Sequence, residues 1–119
     1  MGIRRIVPNI ASNQSDMCRG FYADFLGLRM AMDMGWIVTY VSPTNPTAQL
    51  SVAQGAPSGA AQPGVSISIE VEDVDPLHAE AIRRGYSIVY PLTDETFGVR
   101  RFAVTDPNGV VINIMCHRA

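Results

Sequence analysis

Alternation of apolar and polar residues predicts short β-strands along most of this chain. The clearest run lies between Val65 and Glu72, where valine and isoleucine alternate with serine and glutamate, as in a strand with one buried face. Runs of this kind predict strands at 3–12, 28–33, 36–42, 47–54, 65–72, 86–92, 99–105 and 110–116. Pro8 cannot donate a ladder hydrogen bond, so the first strand is expected at a sheet edge or beside a bulge.

Helical spacing follows the first and the fifth of these strands. The apolar stripe of the first helix consists of Met17, Phe21, Phe25 and Leu28. Asn13 is the predicted N-cap of that helix, and Gly27 is its predicted left-handed stop. The second helix is predicted to begin at Asp75 and Pro76, with the aspartate as the cap, and to end at Gly85.

These elements give the order strand, helix and three strands twice over, which indicates an internal repeat. Residues 55–64 are rich in Gly, Pro, Ala, Ser and Gln and are predicted to be a linker or mobile loop. The fold class is therefore α+β, a single domain over 1–119, with module one at about 1–54 and module two at about 65–119. Neither half has enough strands to bury its helix and both sheet faces alone. We therefore expect the modules to join into one curved mixed sheet, with the helices outside and a cup inside.

Composition excludes several function classes. The chain is 47% hydrophobic and 17% charged with a net charge of −2, which argues against disorder and against a basic nucleic-acid-binding surface. It has no apolar run near the roughly 18 residues of a membrane span and no secretory signal at its start, so a cytoplasmic location is expected. The two cysteines, Cys18 and Cys116, are expected to be reduced thiols.

Three motifs, in this order and spacing, resemble the vicinal oxygen chelate superfamily. They are Phe21-Tyr22 with Phe25-Leu26-Gly27-Leu28, the acidic stretch 69–75, and the stretch 102–109 that ends in Asp106-Pro107-Asn108-Gly109. That superfamily includes glyoxalase I, extradiol dioxygenases, fosfomycin-resistance enzymes and bleomycin-resistance proteins. The resemblance covers nearly the whole chain and implies paired βαβββ modules around a cup. The bleomycin-resistance members also imply a homodimer with ligand grooves at the subunit boundary.

The resemblance assigns positions to the His, His and Glu ligands, often with a further Glu, with which metal-using members chelate a divalent ion. In this chain those positions are Val7, Ser51, Ser66 and Asn113. Valine has no donor atom, and neutral serine and amide oxygens bind transition metals poorly, so no metal and no other cofactor is expected. The two histidines, His78 in the second helix and His117 after the last predicted strand, are interpreted as solvated or capping imidazoles.

Strand parity predicts which side chains line the cup. In the last strand, Ile112 and Ile114 are expected in the core, which turns Asn113 and Met115 inward. The same argument, applied to each strand, gives the predicted ligand-binding set: Trp36, Tyr40, Gln49, Ser51, Ser66, Ser68, Arg101, Asn113 and Met115.

Two members of this set have alternative interpretations. Arg101 is expected either to hold a carboxylate or phosphate of the ligand or to pair with an acid at the rim. Trp36 and Tyr40, on one face of the third strand, are expected either to stack on a ligand or to be core or dimer-contact aromatics. Glu70 has the parity of the inward serines and is expected at the mouth of the cup.

The leading hypothesis is a metal-free small-molecule-binding protein of the glyoxalase/bleomycin-resistance type, which sequesters an antibiotic or a metabolite. Apolar walls with a few polar groups are the usual composition of a ligand site. One alternative is an enzyme of the lyase, isomerase or dioxygenase type with an atypical or absent metal site. The other is a structural or regulatory domain whose cup is filled by its own side chains. The expected partners are a small-molecule ligand and a second copy of the chain, with no nucleic acid and no membrane.

Overall fold

The computed structural model describes residues 2–54 and 65–118, and the predicted linker 55–64 lies outside them. The chain divides into two compact units, Met1–Gln62 and Pro63–Ala119. We call them the N-terminal and the C-terminal module. In the part of the chain that is described, no helix has both the length and the apolar character needed to cross a membrane.

The N-terminal module is one four-stranded sheet with one helical segment. Its strands are β1 (Asn9–Ala11), β2 (Arg29–Asp33), β3 (Ile37–Val41) and β4 (Gln49–Ala53), in the spatial order β1-β4-β3-β2. The β1–β4 pair is parallel and the other two pairs are antiparallel. Helix α1 (Ser15–Cys18) continues into a π-helical segment (Arg19–Phe25), in which hydrogen bonds such as Leu26 N–H to Phe21 O, 3.0 Å, span five residues.

The C-terminal module repeats this arrangement. Its elements are β5 (Ser66–Glu70), α2 (Asp75–Arg83), β6 (Ile88–Asp94), β7 (Val99–Thr105) and β8 (Val111–His117), with the strands in the spatial order β5-β8-β7-β6. The β5–β8 pair is parallel and the other two are antiparallel. Each module thus has the order βαβββ and the same sheet topology, so the α+β class and the internal repeat predicted from the sequence are confirmed. That the modules join into a single cup-forming domain stays a prediction.

Each sheet buries one face against the helix of its own module. In the N-terminal module, Phe21 and Tyr22 are fully buried, and the Tyr22 ring lies 5.7 Å from that of Tyr40 on β3. In the C-terminal module, the His78 ring of α2 lies 5.1 Å from the fully buried Phe102 of β7. The other fully buried residues of that core are Val74, Ala81, Val104, Ile112 and Ile114. The predicted core positions Ile112 and Ile114 are therefore confirmed.

The helix stops were predicted correctly, whereas both predicted caps are wrong. Gly27 and Gly85 have φ of 78° and 73°, the left-handed conformation that favours glycine. Neither helix begins with a side-chain cap, so neither Asn13 nor Asp75 fills that role. Serine hydroxyls bind nearby backbone N–H groups as readily as asparagine does, and the Ser12 hydroxyl accepts the Gln14 N–H at 2.9 Å.

The cap position of α2 shows the same competition among neighbouring aspartates. Val74 occupies the cap position, and Asp75 lies in the first helical turn. The N–H of Asp75 donates to the Asp73 carboxylate at 3.1 Å, while the Asp75 carboxylate accepts from Arg100 at 2.8 Å. The first strand also differs from prediction, since regular pairing covers only Asn9–Ala11 of the predicted 3–12.

Candidate functional site

The C-terminal sheet has one face turned away from α2. Alternation along β7 directs Phe102 and Val104 to the helix, so Arg101 and Ala103 lie on the opposite side. We call this surface the Arg101 face. By strand register it carries Ser66, Ser68 and Glu70 from β5, Tyr90 and Thr93 from β6, Arg101 and Ala103 from β7, and Asn113, Met115 and His117 from β8.

Arg101 is the centre of a hydrogen-bonded row on this face. Its Nε donates to Glu95 Oε2 at 2.7 Å, and its Nη1 donates to Asn113 Oδ1 at 3.0 Å. Asn113 extends the row, because its Nδ2 donates to Ser68 Oγ at 3.2 Å. The Tyr90 hydroxyl donates to Glu95 Oε2 at 2.9 Å, and the guanidinium carbon of Arg101 lies 4.1 Å from the centre of the Tyr90 ring. The polar groups of the row are therefore held in one mutual orientation.

Arg101 and Glu95 keep each other charged. The hydrogen bond from Arg101, followed by that from Tyr90, lowers the pKa of Glu95, and the hydrogen bond to Glu95 raises the pKa of Arg101. The side chains are 28% and 17% exposed, so both are partly withdrawn from water. Since the two opposite charges offset each other, the row presents oriented N–H and O–H donors without a net positive charge.

A second polar pair lies further along the same face. Glu70 Oε2 is 2.7 Å from His117 Nδ1, a contact between the adjacent strands β5 and β8. Both side chains are largely exposed, at 60% and 62%. His117, interpreted from the sequence as a solvated or capping imidazole, is indeed solvent-exposed and in addition contacts a carboxylate. The other histidine, His78, packs on the Phe102 ring and is half-buried.

Five of the nine predicted site residues share the Arg101 face. These are Ser66, Ser68, Arg101, Asn113 and Met115. Three of them, Ser68, Arg101 and Asn113, are joined by the hydrogen bonds of the row. Arg101 pairs with an acid, Glu95, and its expected contact with a carboxylate or phosphate of a ligand stays a prediction.

Gln49 and Ser51 have hydrogen-bond partners within their own N-terminal module. Ser51 is 3% exposed, and its Oγ lies 2.8 Å from Thr39 Oγ1 on the neighbouring strand β3. Gln49 accepts a hydrogen bond from Arg5 through its Oε1 and donates one to the Pro46 carbonyl at 2.7 Å. Their part in ligand binding stays a prediction.

Trp36 and Tyr40 differ in environment although both border the same small cavity. Tyr40 is 1% exposed and belongs to the aromatic core, and this burial raises the pKa of its phenol. Trp36 directly precedes β3 and is 55% exposed. The cavity is about 10 Å³, room for roughly one water, and its other lining residues are Ser12, Ser15, Cys18, Gly35, Val38, Val52 and Gln54. Tyr40 thus follows the core alternative, and of these two residues Trp36 is the one with a large exposed aromatic surface.

The positions that the resemblance assigns to metal ligands do not fit a divalent transition metal. Val7 supplies no side-chain donor, and the Ser51 hydroxyl is paired with Thr39. The Asn113 amide is occupied at both ends, by Arg101 and by Ser68. Over residues 2–54 and 65–118, no three His, Cys, Asp or Glu side chains are grouped so that they could hold a metal ion. The donor chemistry therefore differs from the His and Glu set of metal-using members.

Sequence reasoning missed Glu95 and Tyr90. The register of β6 against β7 shifts twice, between Ile88 and Tyr90 and again between Tyr90 and Thr93. Because of the second shift, Tyr90 and Thr93 lie on the same face although they are three residues apart. In a regular strand, residues three apart lie on opposite faces, so alternation alone assigns one of them wrongly. Pro91 lies inside this shift, and a proline within a strand is a known signal of a bulge. That signal could have placed Tyr90 on the Arg101 face.

Comparisons with known proteins agree with the repeat and the topology. A model of the glyoxalase/bleomycin resistance protein/dioxygenase superfamily matches residues 3–114. A solved member of that superfamily from Sphaerobacter thermophilus DSM 20745 is similar, with a TM-score of 0.82, 22% identity, and coverage of 98% of this chain and 99% of that one. TioX from Micromonospora sp. ML1 has a TM-score of 0.77 at 20% identity, covering 97% and 99% of the two chains. UcmS2 has a TM-score of 0.78 at 16% identity, covering 97% and 98%. A comparison with curated proteins gave no match.

Proposed function

The chain belongs to the glyoxalase/bleomycin resistance protein/dioxygenase superfamily, and from that premise we propose that it binds a small organic molecule on the Arg101 face without a chelated metal ion. The observation that carries this proposal is the row of Glu95, Arg101, Asn113 and Ser68 on the sheet face that α2 leaves uncovered. The proposed role of the protein is sequestration of an antibiotic or metabolite. The proposal concerns the C-terminal module, whose side chains form the whole row.

The row is suited to binding because its donors are oriented before a ligand arrives. Arg101 is held by Glu95, by Asn113 and by the ring of Tyr90, so little side-chain entropy remains to be lost on binding. The Ser68 hydroxyl accepts from Asn113 and therefore keeps its own proton for donation to a ligand. These donors, beside the apolar surface of Met115, match a ligand that carries carbonyl or carboxylate oxygens on a flat apolar body.

The absence of a metal requirement follows from donor chemistry. At the family's ligand positions this chain has an aliphatic side chain, two hydroxyls and an amide, and the hydroxyl of Ser51 and the amide of Asn113 already have protein partners. Elemental analysis of protein purified without chelator is expected to find no stoichiometric transition metal. Stoichiometric nickel, zinc, iron or manganese, lost together with a catalytic activity, would instead establish the lyase, isomerase or dioxygenase alternative.

A thermal-shift screen against aromatic carboxylates and ketones tests the binding itself. We expect at least one compound to raise the melting temperature of the wild-type protein, and Arg101→Gln to abolish that shift. Arg83→Gln is the matched control, because Arg83 is an exposed arginine of α2 that pairs with Glu80 of its own helix. Equal shifts in all three proteins would contradict a site on the Arg101 face.

A further inference from the structure

The Glu70–His117 contact bears on which ring nitrogen of a neutral imidazole carries the proton. Both residues are anchored by backbone ladders, since β8 pairs with β5 on one side and with β7 on the other, where His117 lies opposite Val99. An ionised carboxylate can only accept a hydrogen bond. The 2.7 Å contact between Glu70 Oε2 and His117 Nδ1 therefore requires the proton to be on Nδ1. In the neutral imidazole the lone pair is then on Nε2, and the side chain that carries it is 62% exposed.

Within residues 2–54 and 65–118, the carboxylate in contact with the His117 imidazole is that of Glu70. On β7, the nearest charged residue of the same face is Arg101, which is engaged with Glu95. Arg118 follows His117 in the chain and donates to Asp94 at 2.7 Å. Glu72 is exposed just beyond the end of β5. Glu70 is thus the carboxylate that orients His117 and that can offset a positive charge on its ring.

The pair lies within reach of a ligand bound to the row. Asn113 and His117 are on the same face of β8, four residues apart, which at about 3.3 Å per residue is roughly 13 Å. The side chain of Met115 lies between them on that face. An elongated ligand whose oxygens accept from the remaining N–H groups of Arg101 and Asn113 would therefore lie along Met115 and place its other end beside His117.

We propose that Glu70 and His117 form a proton-accepting dyad for a weakly acidic group of the bound ligand, a phenol, an enol or a thiol. The O–H or S–H bond of the ligand breaks, its electron pair stays on the ligand oxygen or sulfur, and the proton forms a new bond to Nε2. The imidazolium so formed is paired with the Glu70 carboxylate, and the ligand is held as its anion. This inference rests on the proposed function, because the ligand is the one bound at the Arg101 row.

The first test measures the tautomer and needs no ligand. The chain has two histidines, so its ¹⁵N imidazole spectrum contains two sets of ring signals, assignable with one variant. In the neutral form, we expect His117 to be protonated at Nδ1 in the wild-type protein and to become a mixture of both tautomers in Glu70→Ala. Glu72→Ala, an exposed glutamate two residues further on, is the matched control and should leave the signals unchanged. A wild-type His117 protonated at Nε2, or no change in Glu70→Ala, would overturn the dyad.

The second test measures proton transfer at the His117 end of the site with para-nitrophenol as the probe. This probe is shorter than the span from Asn113 to His117 and therefore reports on the dyad alone, and its anion absorbs visible light whereas its neutral form does not. Below the pH at which free probe ionises, added wild-type protein is expected to increase the phenolate absorbance. His117→Gln should lose the increase, and the matched His78→Gln should retain it. An unchanged absorbance with wild-type protein at millimolar probe, or a full increase with His117→Gln, would overturn the role of the dyad as proton acceptor.

The two proposals fail in distinguishable ways. If Arg101→Gln leaves the thermal shifts intact, the ligand site on the row is refuted while the tautomer measurement still reports on the dyad. If the thermal shifts depend on Arg101 but His117→Gln still gives the full increase in phenolate absorbance, the row binds ligands and the dyad proposal alone is refuted.

Discussion

Replacement of Phe102 by alanine tests whether the C-terminal module is held together by the contact between β7 and α2. Phe102 is fully buried, and its ring lies 5.1 Å from that of His78. A phenylalanine buries roughly 150–250 Å², which at about 25 cal/mol per Å² corresponds to roughly 4–6 kcal/mol. This is an upper bound, because the unfolded chain already buries part of that surface. Measured Phe→Ala costs in protein cores are about 3–5 kcal/mol, and we expect Phe102→Ala to fall in that range.

The assay is urea unfolding followed by circular dichroism, with the free energy of unfolding obtained by linear extrapolation. The matched control is Phe97→Ala, because Phe97 is 71% exposed in the turn between β6 and β7. Surface substitutions of this kind usually change stability by less than about 0.5 kcal/mol. A loss below about 1 kcal/mol for Phe102→Ala, or equal losses for the two variants, would refute the reasoning, since a core contact of this size costs several kcal/mol.

Three further predictions concern the helices and the assembly. Hydrogen bonds from Arg83 and then Arg84 lower the pKa of Glu80 to about 2, so its contribution to stability is complete above the ordinary value of 4.5 and is lost as the pH falls towards 2. Between pH 4.5 and 2 the melting temperature of Glu80→Gln should therefore fall less steeply with decreasing pH than that of the wild type. Parallel plots of melting temperature against pH for the two proteins would contradict this. In urea unfolding, Gly27→Ala should destabilise the protein by about 1 kcal/mol, because alanine does not favour the positive φ of this residue. Gly20→Ala, inside the helical segment, should stabilise it by roughly 0.5–1 kcal/mol. The opposite order of stabilities would be inconsistent with the backbone geometry. Sedimentation equilibrium is expected to give the mass of a homodimer, and a monomer throughout the micromolar range would exclude it.

The core and the repeat could be predicted because their signal is local. Ile112 and Ile114 alternate with polar neighbours, and this alone identifies the buried face of β8. Gly27 and Gly85 end apolar helical stripes, and a residue with positive φ is needed at each of those points. The cap residues were missed because several short polar side chains compete near each helix start, and spacing does not decide among them. The π-helical hydrogen bonding of Arg19–Phe25 has no local signal that we recognise.

For the candidate site, the sequence predicts which face of its own strand a side chain lies on, but not its partners on neighbouring strands. The parity of Arg101 follows from that of Phe102, its neighbour on the same strand. Its partner Glu95 depends on how β6 is offset from β7, which the two register shifts determine. The Glu70–His117 contact joins residues 47 positions apart and depends on the parallel register of β5 and β8. Pairings between strands of this kind are set by tertiary structure and leave no periodicity in the sequence.

The second register shift of β6 has a consequence for the charge of the proposed ligand site. The residue it adds between Tyr90 and Thr93 sets the side of the sheet on which the following residues lie. Deletion of one residue at this point would reverse that side for the end of the strand and withdraw the Glu95 carboxylate from Arg101. The guanidinium would then be an uncompensated cation facing the ligand. A change of chain length outside the proposed binding residues is thus expected to strengthen the preference of this surface for anions over neutral hydrogen-bond acceptors.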